Sequence, residues 1–117
     1  DYETPDGTGV RDYIHVEDLS EAHLAALNLI KTSQKHGHTN MNTLNIGTGV
    51  GYSVLDIIKA YEQINGLNIP YKITSRREGD IAACYANPTK ANTILGWKAS
   101  RTLEDMCRSA WNFQKNK

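Results

Sequence analysis

Residues 45–66, NIGTGVGYSVLDIIKAYEQING, decide the fold. They begin at the end of a short strand-like run, MNTLNI (41–46), pass glycines at 47, 49 and 51, and then switch to helical spacing. Ser53 stands where a helix N-cap belongs, with Asp56 at the third helical position, a capping box with Asp in place of Glu. Val54, Leu55, Ile57, Ile58, Tyr61 and Ile64 give the helix an apolar face, and Asn65-Gly66 ends it. Strand, glycine turn and amphipathic helix in that order predict an α/β unit.

The same alternation continues on both sides. Upstream, DGTG (6–9) supplies turn residues and VRDYIHV (10–16) alternates as a strand. EDLSEAHLAALNLIKT (17–32) then predicts a helix with Leu19, Ala22, His23, Ala26, Leu27 and Ile30 on its inner face. Asp18 and Glu21 sit in its early turns, where the helix dipole favours acids. SQKHGHTN (33–40) reads as a loop. Downstream, IPYKIT (69–74) is a third strand, and Asn87 caps a helix with Pro88 at its first position and Gly96 at its end. The last helix starts from Thr102 and Asp105 and points Leu103, Met106, Cys107, Ala110 and Phe113 inward. No repeat divides the 117 residues, so they form one domain at most.

Bulk composition removes several functions. Thirteen basic residues balance thirteen acidic ones, which leaves no electrostatic basis for a nucleic-acid partner. No apolar run reaches the roughly 18 residues a membrane span needs, so no membrane partner is expected. Cys84 and Cys107 have neither metal-ligand spacing nor a disulfide framework, and a reducing cytoplasm fits them. The chain starts at Asp1 in loop-like sequence, without an initiator methionine, and reads as a piece of a longer chain.

The chemistry-bearing motifs are few. GTGVG (47–51) is spaced G-x-G-x-G, not as the dinucleotide fingerprint, and no P-loop lysine accompanies it. It favours a tight turn with close backbone approach over a phosphate cradle. His15 has Asp12 and Asp18 as its near candidate partners and reads as structural. His36 and His38 lack a third ligand, so no metal site is expected. Tyr13, Tyr52, Tyr61, Tyr71 and Tyr85 all lack a lysine four residues on, and no catalytic acid–base pair can be named.

That leaves SRREGD (75–80) together with Arg11. An arginine fork binds phosphate through two N–H donors, and a carboxylate such as Asp80 can accept from a ribose diol. The alternative is an exposed turn whose ion pairs are worth about 0–1 kcal/mol.

DGTGVRDYIHVEDL, NIGTGVGYSVLDII, RREGDIAACYANPTKA and LGWKASRTLEDMCRSAWNFQK together resemble the C-terminal portion of the UDP-glucose 4-epimerase (UDP-galactose 4-epimerase) family. That family belongs to the extended short-chain dehydrogenase/reductase superfamily. The resemblance covers essentially the whole chain, and GVRDYIHV and RREGD are its most specific elements. It implies a small α/β substrate-binding portion, residues 1–117, whose Rossmann half is absent. That half would bind NAD and carry the catalytic Tyr-x-x-x-Lys pair, so this chain would hold neither a catalytic nor a cofactor-binding residue. By the same resemblance Arg11 and Arg77 contact the UDP diphosphate, Tyr13 lines the nucleotide side, Val50 packs near the nucleoside and Asp80 engages the ribose. Cys84 lies by the sugar pocket, where a small residue leaves room for an N-acetyl group. Arg76 and Glu78 fall to scaffold roles. The implied partners are a UDP-sugar and the missing half, in an enzyme of galactose metabolism that usually forms homodimers, and the isolated chain is expected to be inactive. Two other readings remain open: part of another sugar-nucleotide enzyme such as a dehydratase or decarboxylase, and a non-catalytic UDP-sugar-binding or protein-interaction fragment.

Overall fold

Two capping boxes launch the best-formed helices. In the computed structural model, which describes residues 1–35 and 41–117, helix α2 (Val54–Asn65) begins where Ser53 Oγ accepts from Asp56 N and the Asp56 carboxylate accepts in turn from Ser53 N. Helix α4 (Leu103–Lys115) repeats the device with Thr102 and Asp105. Each box satisfies two of the backbone donors that a helix start leaves without partners. Gly66 ends α2 in the left-handed region at φ 64°, a conformation that costs glycine little. The two helices pack on each other, with Tyr61 and Trp111 edge to face at 6.5 Å and Asn65 Nδ2 donating to the Cys107 carbonyl.

Three two-residue strands form a small sheet in the order β2-β1-β3. β1 (Val10–Arg11) is central; it runs antiparallel to β2 (Tyr52–Ser53) and parallel to β3 (Ala83–Cys84). Helix α1 (Val16–Lys35) follows β1 and packs on α3 (Thr89–Leu95). Among the described residues the buried apolar side chains are Ala22, Ala91, Trp97 and Cys107.

Several expectations are corrected. The strand expected over 10–16 stops at Arg11: residues 12–15 have no ladder partner among the described residues, and α1 begins at Val16. Residues 41–46 and 69–74 belong to no sheet, since an extended segment becomes a strand only by pairing and neither has a ladder partner among the described residues. Thr89, not Pro88, is the first residue of α3; Asn87 still accepts from the Thr89 N–H, at 3.2 Å. Ala110 and Phe113 are exposed, and Trp111 contacts α2 in their place. The helical phase of α4 puts 107 and 111, one turn apart, on the packed face. On α1, Ala22 is buried but His23, Leu24, Leu27 and Ile30 are exposed. The His36/His38 pair lies outside the described residues.

Candidate functional site

A cleft of about 550 Å³ lies between the start of α2, the end of β1 and the segment 71–77. Val54, Leu55 and Ile58 give it an apolar wall. Arg11 and Tyr13 enter from the central strand and its extension, and Arg77 and Asp80 from the charged turn. Residues 66 positions apart in sequence are thus brought to one cavity, whose size suits a small ligand. Lys72 and Arg76 also line it, so cations outnumber carboxylates along the wall. This distribution favours an anionic ligand.

Asp80 organises the polar end. Its Oδ1 pairs with Arg11 Nη2, and its Oδ2 accepts from the Tyr2 hydroxyl at 2.9 Å. Arg11 is held a second time, donating from Nη1 to the Val10 carbonyl at 2.7 Å. The Tyr2 hydrogen bond, with Arg11 and Arg77 nearby, holds the Asp80 carboxyl below the usual carboxylate range. Arg77 is exposed and makes no ion pair among the described residues.

Val50 and Cys84 do not line this cleft. Val50 is exposed in the glycine loop. Cys84 is exposed on β3, opposite Arg11 in the ladder, and lines a neighbouring cleft with Asn45, Ile46, Tyr85 and Asn87. Arg11 borders both clefts and joins them.

The glycine loop is explained by Asp12, which the sequence reading treats only as a partner for His15. Asp12 accepts from Thr48 N, Thr48 Oγ1, Gly49 N and Ala86 N, at 2.7–3.2 Å. Burial acts to raise its pKa, but the Thr48 hydroxyl and the three amides outweigh burial and hold it below the ordinary value. The Thr48 and Gly49 amides are therefore spent on a carboxylate within the chain, not on a phosphate. Gly47 is required for this approach: a Cβ there would lie 2.6 Å from Asp12 Oδ2 and 2.7 Å from the Ala86 Cβ. Gly47→Ala is expected to destabilise by about 1–3 kcal/mol through overpacking. The check is the fall in melting temperature of a full-length protein carrying this segment, and an unchanged value contradicts the close packing.

His15 is bound by neither aspartate. Its Nδ1 accepts from Glu17 N at 3.1 Å, so the proton sits on Nε2, which donates to Ser109 Oγ at 2.8 Å. In that tautomer the imidazole cannot take the Ser109 proton, and the pair ties the β1–α1 turn to α4. Asp18, fully buried, is held by Arg101 Nη1 at 2.6 Å and by the backbone N–H groups of Ser100 and Arg101. Among the described residues no group of three or more His, Cys, Asp or Glu could hold a metal ion, and no helix is long and apolar enough to cross a membrane.

A family model described as GDP-mannose 4,6 dehydratase matches residues 2–110, and the chain belongs to that family of sugar-nucleotide enzymes. Within it, the similarity runs to UDP-glucose 4-epimerases. The chain is 51% identical over 116 residues to that enzyme of Bacillus subtilis and 52% identical over 115 residues to that of Homo sapiens, covering 99% and 98% of itself. It spans about a third of the relatives' length, 33% and 32% respectively, and the matched third is their C-terminal part. Its fold superposes with a TM-score of 0.86 and 52% identity on the UDP-glucose 4-epimerase of Bifidobacterium longum in complex with NAD+ and UDP, covering all of this chain and 33% of that one. The small α/β fold is that of the C-terminal portion of an extended short-chain dehydrogenase/reductase.

Proposed function

We propose that residues 1–117 form the UDP-sugar-binding C-terminal portion of an NAD-dependent UDP-glucose/UDP-galactose 4-epimerase, a cytoplasmic enzyme of galactose metabolism. The observation that carries this reading is the convergence of Arg11, Tyr13, Arg77 and Asp80 on one cation-rich cleft. Arg11 and Arg77 would hold the diphosphate through charge-assisted N–H donors, and Asp80 would accept from the ribose hydroxyls. Tyr13 would line the nucleotide side and Val50 would pack near the nucleoside. A nucleotide anchored this way is a fixed pivot about which a loosely held hexose can turn.

The redox step belongs to the remaining two-thirds of the enzyme, with its Tyr-x-x-x-Lys pair. When bound there, NAD supplies the hydride acceptor and donor. In this chain the Thr48, Gly49 and Val50 amides of the glycine loop are already engaged within the chain, which agrees with a cofactor site elsewhere. The outer face of α1, with Val16, Leu24, Leu27 and Ile30 each more than half exposed, is the kind of apolar surface that needs a partner. The Rossmann half would cover it, in a protein that forms homodimers. The isolated chain would then be inactive.

The test uses a full-length chimera in which residues 1–117 replace the matching third of the Bacillus subtilis relative. Interconversion of UDP-glucose and UDP-galactose by the chimera is the expected result. A folded chimera that binds NAD but neither binds UDP nor turns over would overturn the reading.

Cys84 carries the specificity proposal. A small side chain beside the sugar pocket would leave space for an N-acetyl group, so UDP-GlcNAc and UDP-GalNAc would be accepted too. Cys84→Tyr in the chimera is expected to remove N-acetylhexosamine turnover and to retain UDP-galactose turnover. Equal loss of both activities, or no change in either, would contradict the proposal.

A further inference from the structure

Tyr2 lies 78 residues from Asp80 in sequence and donates its hydroxyl to Asp80 Oδ2 at 2.9 Å. Arg76 lies over the Tyr2 ring, 4.2 Å from its centroid, within cation–π range. Both Tyr2 and Arg76 line the main cleft. An ionised carboxylate offers about four lone-pair sites. Arg11 takes one on Oδ1 and Tyr2 one on Oδ2, which leaves two, one for each hydroxyl of a vicinal diol. A carboxylate held at one end only can rotate about its terminal torsion, which is broad. Engaged at both oxygens by groups on different segments, it cannot.

We propose that Tyr2 is a positioning residue that orients Asp80 toward the two ribose hydroxyls of the ligand, with Arg76 holding the Tyr2 ring in place. The inference rests on the ribose role proposed above for Asp80. Tyr2 is thereby coupled to recognition of the sugar diol, not of the phosphates. Burial and the Asp80 hydrogen bond together raise the Tyr2 pKa, so the phenol stays protonated and remains a donor throughout the neutral range.

The experiment measures binding of UDP and of 2′,3′-dideoxy-UDP to the full-length chimera and to its Tyr2→Phe, Asp80→Asn and doubly substituted variants. Tyr2→Phe keeps the ring against Arg76 and removes only the hydroxyl. It is expected to weaken UDP roughly three- to tenfold and to leave dideoxy-UDP within about twofold. In the Asp80→Asn background the same change is expected to have no further effect. Arg76→Gln, which keeps the hydroxyl but frees the ring, should give a smaller loss with the same dependence on the ribose hydroxyls. If the unsubstituted chimera binds both ligands equally, the ribose role of Asp80 fails and the inference falls with it. If it discriminates but Tyr2→Phe discriminates as strongly, or weakens both ligands alike, only the positioning role of Tyr2 is overturned.

Discussion

Asp18→Ala should cost the fold about 3–5 kcal/mol, the range for removing one partner of a buried ion pair. Asp18 is completely buried, and four groups converge on it: Arg101 Nη1, the Arg101 and Ser100 amides, and the Ser100 hydroxyl. These contacts join the first turn of α1 to the loop between α3 and α4, segments more than 80 residues apart. Alanine would leave two amides and part of a guanidinium facing an apolar gap. Glu17 and Glu21 also reach Arg101, at 2.9 and 3.1 Å, but both are largely exposed and cannot enter the buried position. A cost of this size is a large share of an ordinary domain's stability, so the expected outcome is insoluble or protease-sensitive chimera. Asp18→Asn, which keeps an acceptor, should lose less and remain measurable. Melting temperatures within a degree or two of the unsubstituted protein would contradict a structural role for the contact.

The same carboxylates set an acid limit. Burial alone would raise the Asp18 pKa, but the Arg101 amide and guanidinium and the Ser100 amide outweigh it and hold the group below its ordinary value. Asp12 behaves likewise. A group depressed on folding contributes stability that is fully present above its unfolded pKa of about 3.9 and is lost as pH falls through the folded value. The melting temperature of the chimera should therefore hold down to about pH 4–5 and drop below that. Asp12→Asn and Asp18→Asn should flatten the drop.

What the sequence makes legible follows from how local each device is. The Ser53–Asp56 and Thr102–Asp105 boxes close within three residues, so both helices can be read directly. A strand is defined by a partner elsewhere in the chain. Residues 69–74 have a strand's composition but no ladder among the described residues, whereas Ala83–Cys84 pairs with β1 although both residues are exposed. Arg11, Arg77 and Asp80 stand out as charges in short motifs, and the fold brings them to one cleft. Tyr2 and Asp12 give no such signal. A tyrosine in a polar lead-in segment and an aspartate between Arg11 and Tyr13 look unremarkable until residues 78 and 36 positions away are placed against them. On α1, periodicity places Leu27 and Ile30 on the inner face beside Ala22, but it cannot say whether this part of the chain covers them, and both are exposed.

The two arginines of the cleft should differ in how their loss is felt, although both are proposed to meet the same diphosphate. Arg77 is exposed, with no ion pair among the described residues, so Arg77→Ala removes a ligand contact and little else. A charge-assisted bond worth about 1.5–3 kcal/mol converts to a loss of roughly ten- to 150-fold in UDP affinity. Uridine, without phosphates, should bind Arg77→Ala and the unsubstituted chimera alike. Arg11 is tied to Asp80 and to its own strand through the Val10 carbonyl. Arg11→Ala therefore removes a phosphate donor and also releases the carboxylate proposed to grip the ribose. UDP should weaken at least as much as in Arg77→Ala, and uridine should weaken too. The Arg11 and Asp80 substitutions should be non-additive toward uridine, since each disables the same contact. Calorimetric titration of the chimera with UDP and with uridine separates the cases. If Arg77→Ala weakens uridine as much as UDP, the diphosphate assignment is wrong; if Arg11→Ala spares uridine, the Arg11–Asp80 pair has no part in holding the ribose.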